Sequence, residues 1–149
     1  MDSNDPKARY YARTMHTPDD PERAAQRAAL RDLSKALLPL HRALIDSAKL
    51  RYSAEVAHVA SPNQLLSLLQ EDPYFAWLKP LTSLIVAIDE MVRQDFQRAG
   101  LDEIASRANR LFGPSADAEF AAQYVPVLQQ DVDVAIHHVA VRKAIARLS

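Results

Sequence analysis

Only two of the 149 residues are glycine, Gly100 and Gly113, and this scarcity restricts the folds open to the chain. Glycine provides most of the left-handed backbone found in tight turns. A β-sandwich or a dinucleotide-binding α/β domain uses several such turns, whereas α-helices need few. Two isolated glycines also cannot form a glycine-rich phosphate-binding loop. The sequence therefore favours an all-α fold.

The length and composition are those of one globular domain. A chain of 149 residues with 48% hydrophobic and 25% charged residues is within the usual range for a single domain. Residues 1–19 lack hydrophobic periodicity and are predicted to form a flexible N-terminal arm, and residues 20–149 a single helical-bundle domain. The chain has no cysteine, which excludes disulfides, thiolate metal sites and cysteine nucleophiles.

Charge and hydropathy indicate which partners to expect. The formal net charge is −1, and the basic residues form no stripe with stacking aromatics, so nucleic-acid binding is not predicted. The N-terminal residues are polar and lack the apolar stretch of a signal peptide. The longest apolar run, residues 84–88, is far shorter than the ~20 residues that span a bilayer. We therefore expect a cytoplasmic protein without membrane contact.

Three segments combine a capping side chain with a proline at the first helical position, which predicts a helix start at each. They are Asp20-Pro21, Ser61-Pro62 and Asp72-Pro73. After the first start, apolar residues recur at spacings of three and four from Leu30 to Ala48, typical of one buried helical face. Pro39 interrupts this stripe, so we expect either a kinked helix or two helices, 21–37 and 39–59.

The helix that begins at Asp72-Pro73 is predicted to carry the strongest apolar stripe, from Trp77 to Phe96. We expect Pro80 to kink it near its start. Gly100 would then end it in the left-handed conformation.

The remaining sequence predicts a short helix from Asp102 to about Phe112 and a last helix from Ser115. The last helix is predicted to bury one continuous stripe, and Pro126 would kink or divide it. The members of that stripe are Phe120, Tyr124, Val125, Leu128, Val132, Ala135, Ile136 and Val139. Together these segments predict an antiparallel up-and-down bundle of about four to five helices, kinked by prolines.

Four polar residues could form a site inside such a bundle. His41 shares the core face of the first helix, and Asp89 lies one residue off the apolar face of a later helix. His137 and His138 lie on the last helix. A His–Asp pair could act as a general base or as half of a metal site. The alternative, which we favour, is a structural hydrogen bond that fixes the packing of two helices.

A metal site is not predicted. The di-iron bundle pattern requires two Glu-x-x-His motifs, and the sequence contains one, Glu55 to His58, at a helix end. A mononuclear site built from His41, His137 or His138 with Asp89 stays open, because one sequence does not show whether these residues converge. No cofactor is predicted.

Three aromatic residues in four positions, Tyr74, Phe75 and Trp77, lie between two prolines. This segment could line a small-molecule pocket or form a partner-binding patch. The alternative is a helical corner that closes the end of the bundle, with Trp77 as the plug.

Two segments, LHRALID at 40–46 and DPYFAWLKPLTSLIVAID at 72–89, resemble a pattern of a family of small bacterial helical-bundle proteins. The pattern is a leucine-histidine-arginine segment followed by DP-x-F-x-W-L-x-P-L and an LIV-x-ID helix, and it covers roughly the middle third of the chain. The resemblance implies a helical bundle but no particular activity, cofactor or site. The residues that it suggests testing first are His41, Asp72, Phe75, Trp77 and Asp89.

Two functions follow as hypotheses. The first is a non-enzymatic helical-bundle module that binds a protein partner or forms a homodimer, because no complete catalytic set is present and the aromatic segment is unusual. The second is an enzyme or sensor that binds a small molecule or metal at a buried His/Asp site.

Overall fold

The computed structural model describes residues 20–114 and 116–148, which form an all-α bundle and confirm the predicted fold class. The predicted N-terminal arm, residues 1–19, lies outside the described residues. Within them there are six α-helices and one 3₁₀ helix. The α-helices are α1 (Pro21–Glu55), α2 (Pro62–Glu71), α3 (Lys79–Arg93), α4 (Arg98–Phe112), α5 (Ala118–Gln130) and α6 (Val132–Ala146), and the 3₁₀ helix, Pro73–Leu78, precedes α3.

The predicted helix starts at 20–21, 61–62 and 72–73 are confirmed. The carboxylate of Asp20 accepts a hydrogen bond from the backbone N–H of Arg23 at 2.7 Å. The Ser61 hydroxyl accepts from the N–H of Gln64 at 3.1 Å. Each of these bonds satisfies a backbone donor that the first helical turn leaves free.

Neighbouring helices run antiparallel, as their cross-contacts show. On α1 and α3, Arg27 reaches the carbonyl of Val92, while His41, farther along α1, reaches Thr82, which lies earlier on α3. On α1 and α6, Asp32 pairs with Arg147 at 3.6 Å, whereas Leu50 and Val132 line the same groove at the other end.

The core lies where α1 packs against α3 and α6, and α4 packs against α3 and α6 beside it. Every member of the leucine stripe on α1 is fully buried, as its spacing predicts. Pro39 lies inside α1, which continues through it, so the alternative of two separate helices is wrong. Among the described residues no helix is both long and apolar enough to cross a membrane.

The helix predicted from Asp72 is instead two elements. The segment after Asp72 forms the 3₁₀ helix, and α3 begins at Lys79, with Pro80 in its first turn. Proline is tolerated there because the first-turn N–H groups have no intrahelical acceptor. Pro80 therefore marks a helix start and does not kink a longer helix.

The prediction that Gly100 ends this helix in the left-handed conformation is wrong. Helix α3 ends at Arg93, and Gly100 lies within α4; neither described glycine has a positive φ. The side chain of Arg27 donates hydrogen bonds to the carbonyls of Val92 and Gln94, so it satisfies free acceptors that a glycine cap would otherwise serve. At Gly100 a Cβ would lie 3.1 Å from Cε of Met91, so glycine there allows close packing of α3 and α4.

The predicted last helix is divided at Asp131 and not at Pro126, which lies inside α5. Asp131 has an extended backbone, and its carboxylate caps α6 by accepting from two N–H groups. This break changes the orientation of the helix that follows. The predicted burial of Val132, Ile136 and Val139 is therefore wrong, because all three are exposed. The predicted burial of Val125, which lies on α5 before the break, is also wrong, since its side chain is exposed.

Candidate functional site

The structure does not bring the four predicted polar-site residues together. Nε2 of His41 lies 3.0 Å from the Thr82 hydroxyl. That hydroxyl donates to the carbonyl of Leu78 at 3.2 Å, so it accepts from His41, and the imidazole carries its proton on Nε2. Burial lowers the pKa of His41, which favours this neutral form.

Asp89 is not the partner of His41. It is exposed and forms an ion pair with Arg93 on the same helix, at 3.1 Å. Thr82 lies seven residues earlier on α3, which places Asp89 roughly 10 Å farther along the helix axis. The predicted His41–Asp89 pair is thus replaced by a His41–Thr82 bond, an interaction between α1 and α3 of the structural kind that we favoured.

The two C-terminal histidines also have separate surroundings. Nδ1 of His138 lies 2.7 Å from the Tyr124 hydroxyl, which joins α6 to α5. His137 is partly buried, and no side-chain hydrogen bond links it to His41. Burial and the neighbouring positive charge of Arg142 lower the pKa of His138.

No group of three or more His, Asp or Glu side chains in the described part of the chain could hold a metal ion. The two residues of the Glu-x-x-His motif, Glu55 and His58, also have separate surroundings. Glu55 accepts a hydrogen bond from the Tyr74 hydroxyl at 2.9 Å, and His58 lies exposed beyond the end of α1.

Two of the three aromatic residues at the predicted binding corner close the end of the bundle. Phe75 is fully buried and its ring centroid lies 5.4 Å from that of Tyr52. Tyr74 packs edge-on against Tyr52 at 5.3 Å. The corner therefore closes the end of the bundle, as the alternative prediction states, but Phe75 and Tyr74 form the plug in place of Trp77.

Trp77 is the member of the corner that reaches a cleft. Its indole is partly buried and packs on Phe120, with centroids 5.8 Å apart. The cleft has a volume of about 580 Å³ and lies between the 3₁₀ helix, α4 and the start of α5. Its apolar wall also includes Pro80 and Leu111. We call this space the Trp77 cleft.

Two arginines border the Trp77 cleft. Arg107 donates to the Ser83 hydroxyl at 3.0 Å and forms no ion pair with a carboxylate of the described residues. Arg110 lies 3.7 Å from Glu103, which also lines the cleft. The partly buried guanidinium of Arg107 is therefore available to an anionic group.

The carboxylates at the cleft are mostly engaged. Glu103 faces Arg110, and Asp117 accepts from the N–H groups of Glu119 and Phe120 as the cap of α5. Glu119 is exposed. The lining therefore carries three carboxylates and two arginines, and only a group that bonds Arg107 directly would gain from its charge.

A second, smaller cleft of about 300 Å³ lies on the other side of Trp77. Trp77 and Gln123 line both clefts, so the indole forms a ridge between them. Arg51 borders the smaller cleft, and its Nε atom is buried with no hydrogen-bond partner among the described residues. An arginine therefore lines each of the two clefts that share Trp77, and Glu55 also lines the smaller one.

Sequence reasoning identified Trp77 but missed Arg51 and Arg107. Both lie on helices whose patterns place them among ordinary surface arginines, and Arg51 is 26 and Arg107 is 30 positions from Trp77 in sequence. Only the packing of α1 against the 3₁₀ helix and of α4 against α3 brings Arg51 and Arg107 to the clefts that Trp77 lines. No local motif could have indicated this arrangement.

The chain was also compared with known proteins. No family model matches its sequence, no curated protein matches it, and no solved structure matches its fold. The resemblance to a family of small bacterial helical-bundle proteins therefore stays a prediction.

Proposed function

We propose that the chain is a non-enzymatic helical-bundle module that binds a segment of a partner protein across Trp77. The observation that supports this proposal most directly is the position of Trp77 between two clefts that each contain an arginine. Buried aromatic and arginine side chains contribute most strongly to protein interfaces.

The shape of the site favours an extended peptide over a compact small molecule. A small ligand would fill one enclosed pocket, whereas the Trp77 ridge divides this site into spaces of about 580 and 300 Å³. A segment that crosses the ridge would place an apolar side chain against the indole and acidic side chains toward Arg51 and Arg107. The expected partner is therefore a segment that combines apolar and acidic residues.

Trp77 provides a direct test because it is the only tryptophan in the chain. Displayed random peptides would be selected on the purified protein, and enriched peptides titrated while the fluorescence of Trp77 is recorded. We expect enriched sequences to combine an apolar residue with Asp or Glu, and binding to shift the emission of Trp77 to shorter wavelength as water leaves the ring.

Matched variants would distinguish specific peptide binding from nonspecific binding to the protein surface. Arg107→Gln should weaken binding about tenfold, the effect of losing about 1.4 kcal/mol from a charge-assisted hydrogen bond. Arg93→Gln, which changes an exposed arginine on α3, should leave the affinity unchanged. Enrichment of peptides without acidic residues, or equal affinity for Arg107→Gln and the unchanged protein, would contradict the proposal.

A second candidate function is supported by the surroundings of His41. A groove of about 520 Å³ lies beside the His41–Thr82 bond, and its walls include Leu66, Leu69 and Lys79. This combination fits a small amphiphile with an alkyl chain and an anionic head group. Decanoate is a suitable probe: binding should raise the unfolding temperature, and Leu69→Glu should abolish that rise. An equal rise in the Leu69→Glu variant would place the decanoate elsewhere.

A further inference from the structure

Helix α6 has apolar residues on two opposite faces. Its inner face contributes Val134, Val141 and Ala144 to the core. Its outer face carries a second set whose side chains are among the most exposed of the large apolar residues. The exposed fractions are 73% for Val132, 61% for Ile136 and 53% for Val139. A helix that needed only to cover one core would have a polar outer face.

The outer set has the spacing of a helix–helix seam. Val132, Ile136, Val139 and Lys143 are separated by four, three and four residues, the repeat by which two helices pack along each other. Leu50 on α1, also 73% exposed, borders the groove that contains Val132 and extends the apolar surface sideways. We call the four residues on α6 the outer face of α6, and Leu50 of α1 borders this face.

The charges on α6 indicate which partner fits this face. Asp131 and Asp133 lie at its N-terminal end, and Lys143 lies in its last turn. If a second copy of α6 lies antiparallel along the first, each acidic end meets a basic end. A two-fold interface requires such a self-complementary surface.

We propose that the outer face of α6 is the interface of a homodimer, in which α6 of one copy packs antiparallel against α6 of a second copy. Helix α6 has 15 residues, so the seam is roughly 22 Å long. A contact of that length belongs to the smaller class of specific interfaces, and the dimer forms reversibly as the protein concentration rises.

This inference goes beyond the proposed peptide binding and does not depend on it. The Trp77 cleft is lined by the 3₁₀ helix, α3, α4, α5 and the segment before α5, and no residue of α6 lines it. The two surfaces can therefore be changed separately.

Sedimentation velocity from roughly 1 µM to roughly 1 mM tests the dimer, since weak interfaces dissociate within this range. The unchanged protein should shift from monomer to dimer, and Ile136→Glu should stay monomeric because it places two carboxylates in the apolar seam. Val86→Glu is the matched control, because Val86 on α3 is similarly exposed at 51% and lies off this face. It should dimerise like the unchanged protein.

Charge reversal tests the antiparallel arrangement. Lys143→Asp should weaken dimerisation about tenfold, because the change occurs twice in a two-fold dimer. Adding Asp133→Lys to the same chain restores opposite charges at the two ends and should recover most of that loss. A protein that is monomeric at every concentration, or a dimer that survives Ile136→Glu, would overturn the proposal. Failure of the double reversal to recover dimerisation would overturn the antiparallel pairing.

Discussion

The Tyr124 hydroxyl and Nδ1 of His138 form a hydrogen bond across a distance of 2.7 Å. Burial raises the pKa of Tyr124 and lowers that of His138, so the phenol keeps its proton and the imidazole is neutral. The pair lies among the rings of Phe112 and Phe120, whose centroids are 5.5 and 5.1 Å from that of Tyr124. A polar bond thus joins α5 and α6 within an aromatic cluster.

Tyr124→Phe should lower the free energy of unfolding by about 1–2 kcal/mol, because it leaves Nδ1 of the partly buried His138 without a hydrogen-bond partner. Urea unfolding at pH 8 measures the loss. Tyr74→Phe is the matched control: it removes an exposed hydroxyl bond to Glu55, where water can replace it, and should cost less. Equal losses in the two variants would show that the surroundings of Tyr124 add nothing to its hydrogen bond.

Stability should fall as the pH is lowered from about 8 to 5. Burial lowers the pKa of both His41 and His138 from 6.5 in the folded protein, so the unfolded chain takes up protons first. The stabilisation is complete above pH 6.5 and is lost as the pH falls through the lower folded values. Urea midpoints measured at a series of pH values would show this slope.

Combining His41→Gln with His138→Gln should flatten that slope between pH 5 and 7. His58→Gln, which removes an exposed imidazole beyond α1, is the control and should leave the slope in place. If the double variant keeps the full slope, protonation of other groups accounts for the loss of stability.

Much of the fold could be predicted from local sequence because helix starts and buried faces depend on neighbouring residues. The caps at Asp20 and Ser61 and the buried stripe of α1 were correct for this reason. The prediction of one continuous last helix was wrong at Asp131. This single extended residue changed which face of the next fifteen residues packs against the core. Aspartate is a common N-cap residue, but Asp131 lies within a continuous apolar pattern that does not mark a helix start.

The candidate site was less predictable because its contacts join distant segments. His41 is only partly buried, between α1 and α3, and periodicity could not distinguish Thr82 from Asp89 as its partner. Trp77 was selected because three aromatic residues cluster in its segment, whereas Arg107 reaches the cleft only through the packing of α4 against α3.

Arg27→Leu should lower the free energy of unfolding by about 2–3 kcal/mol, the usual contribution of buried hydrogen bonds from a charged group. Its guanidinium donates to the carbonyls of Val92 and Gln94 and lies 5.1 Å from the centroid of Phe96. Urea unfolding measures the change, with the exposed Arg31→Leu as control. A loss within about 0.5 kcal/mol would show that water replaces Arg27 at the end of α3.

Pro39→Ala should raise the free energy of unfolding by about 1–3 kcal/mol. Pro39 is exposed inside α1, where its missing N–H leaves the carbonyl of Lys35 without the usual intrahelical donor. Alanine restores that donor and removes the ring. Pro21→Ala is the control, because Pro21 occupies the first helical turn and should change stability little. Thermal and urea unfolding of both variants provide the measurement. A loss of stability in Pro39→Ala would instead mean that α1 needs the proline-shaped backbone at this position to contact α3 and α6 together.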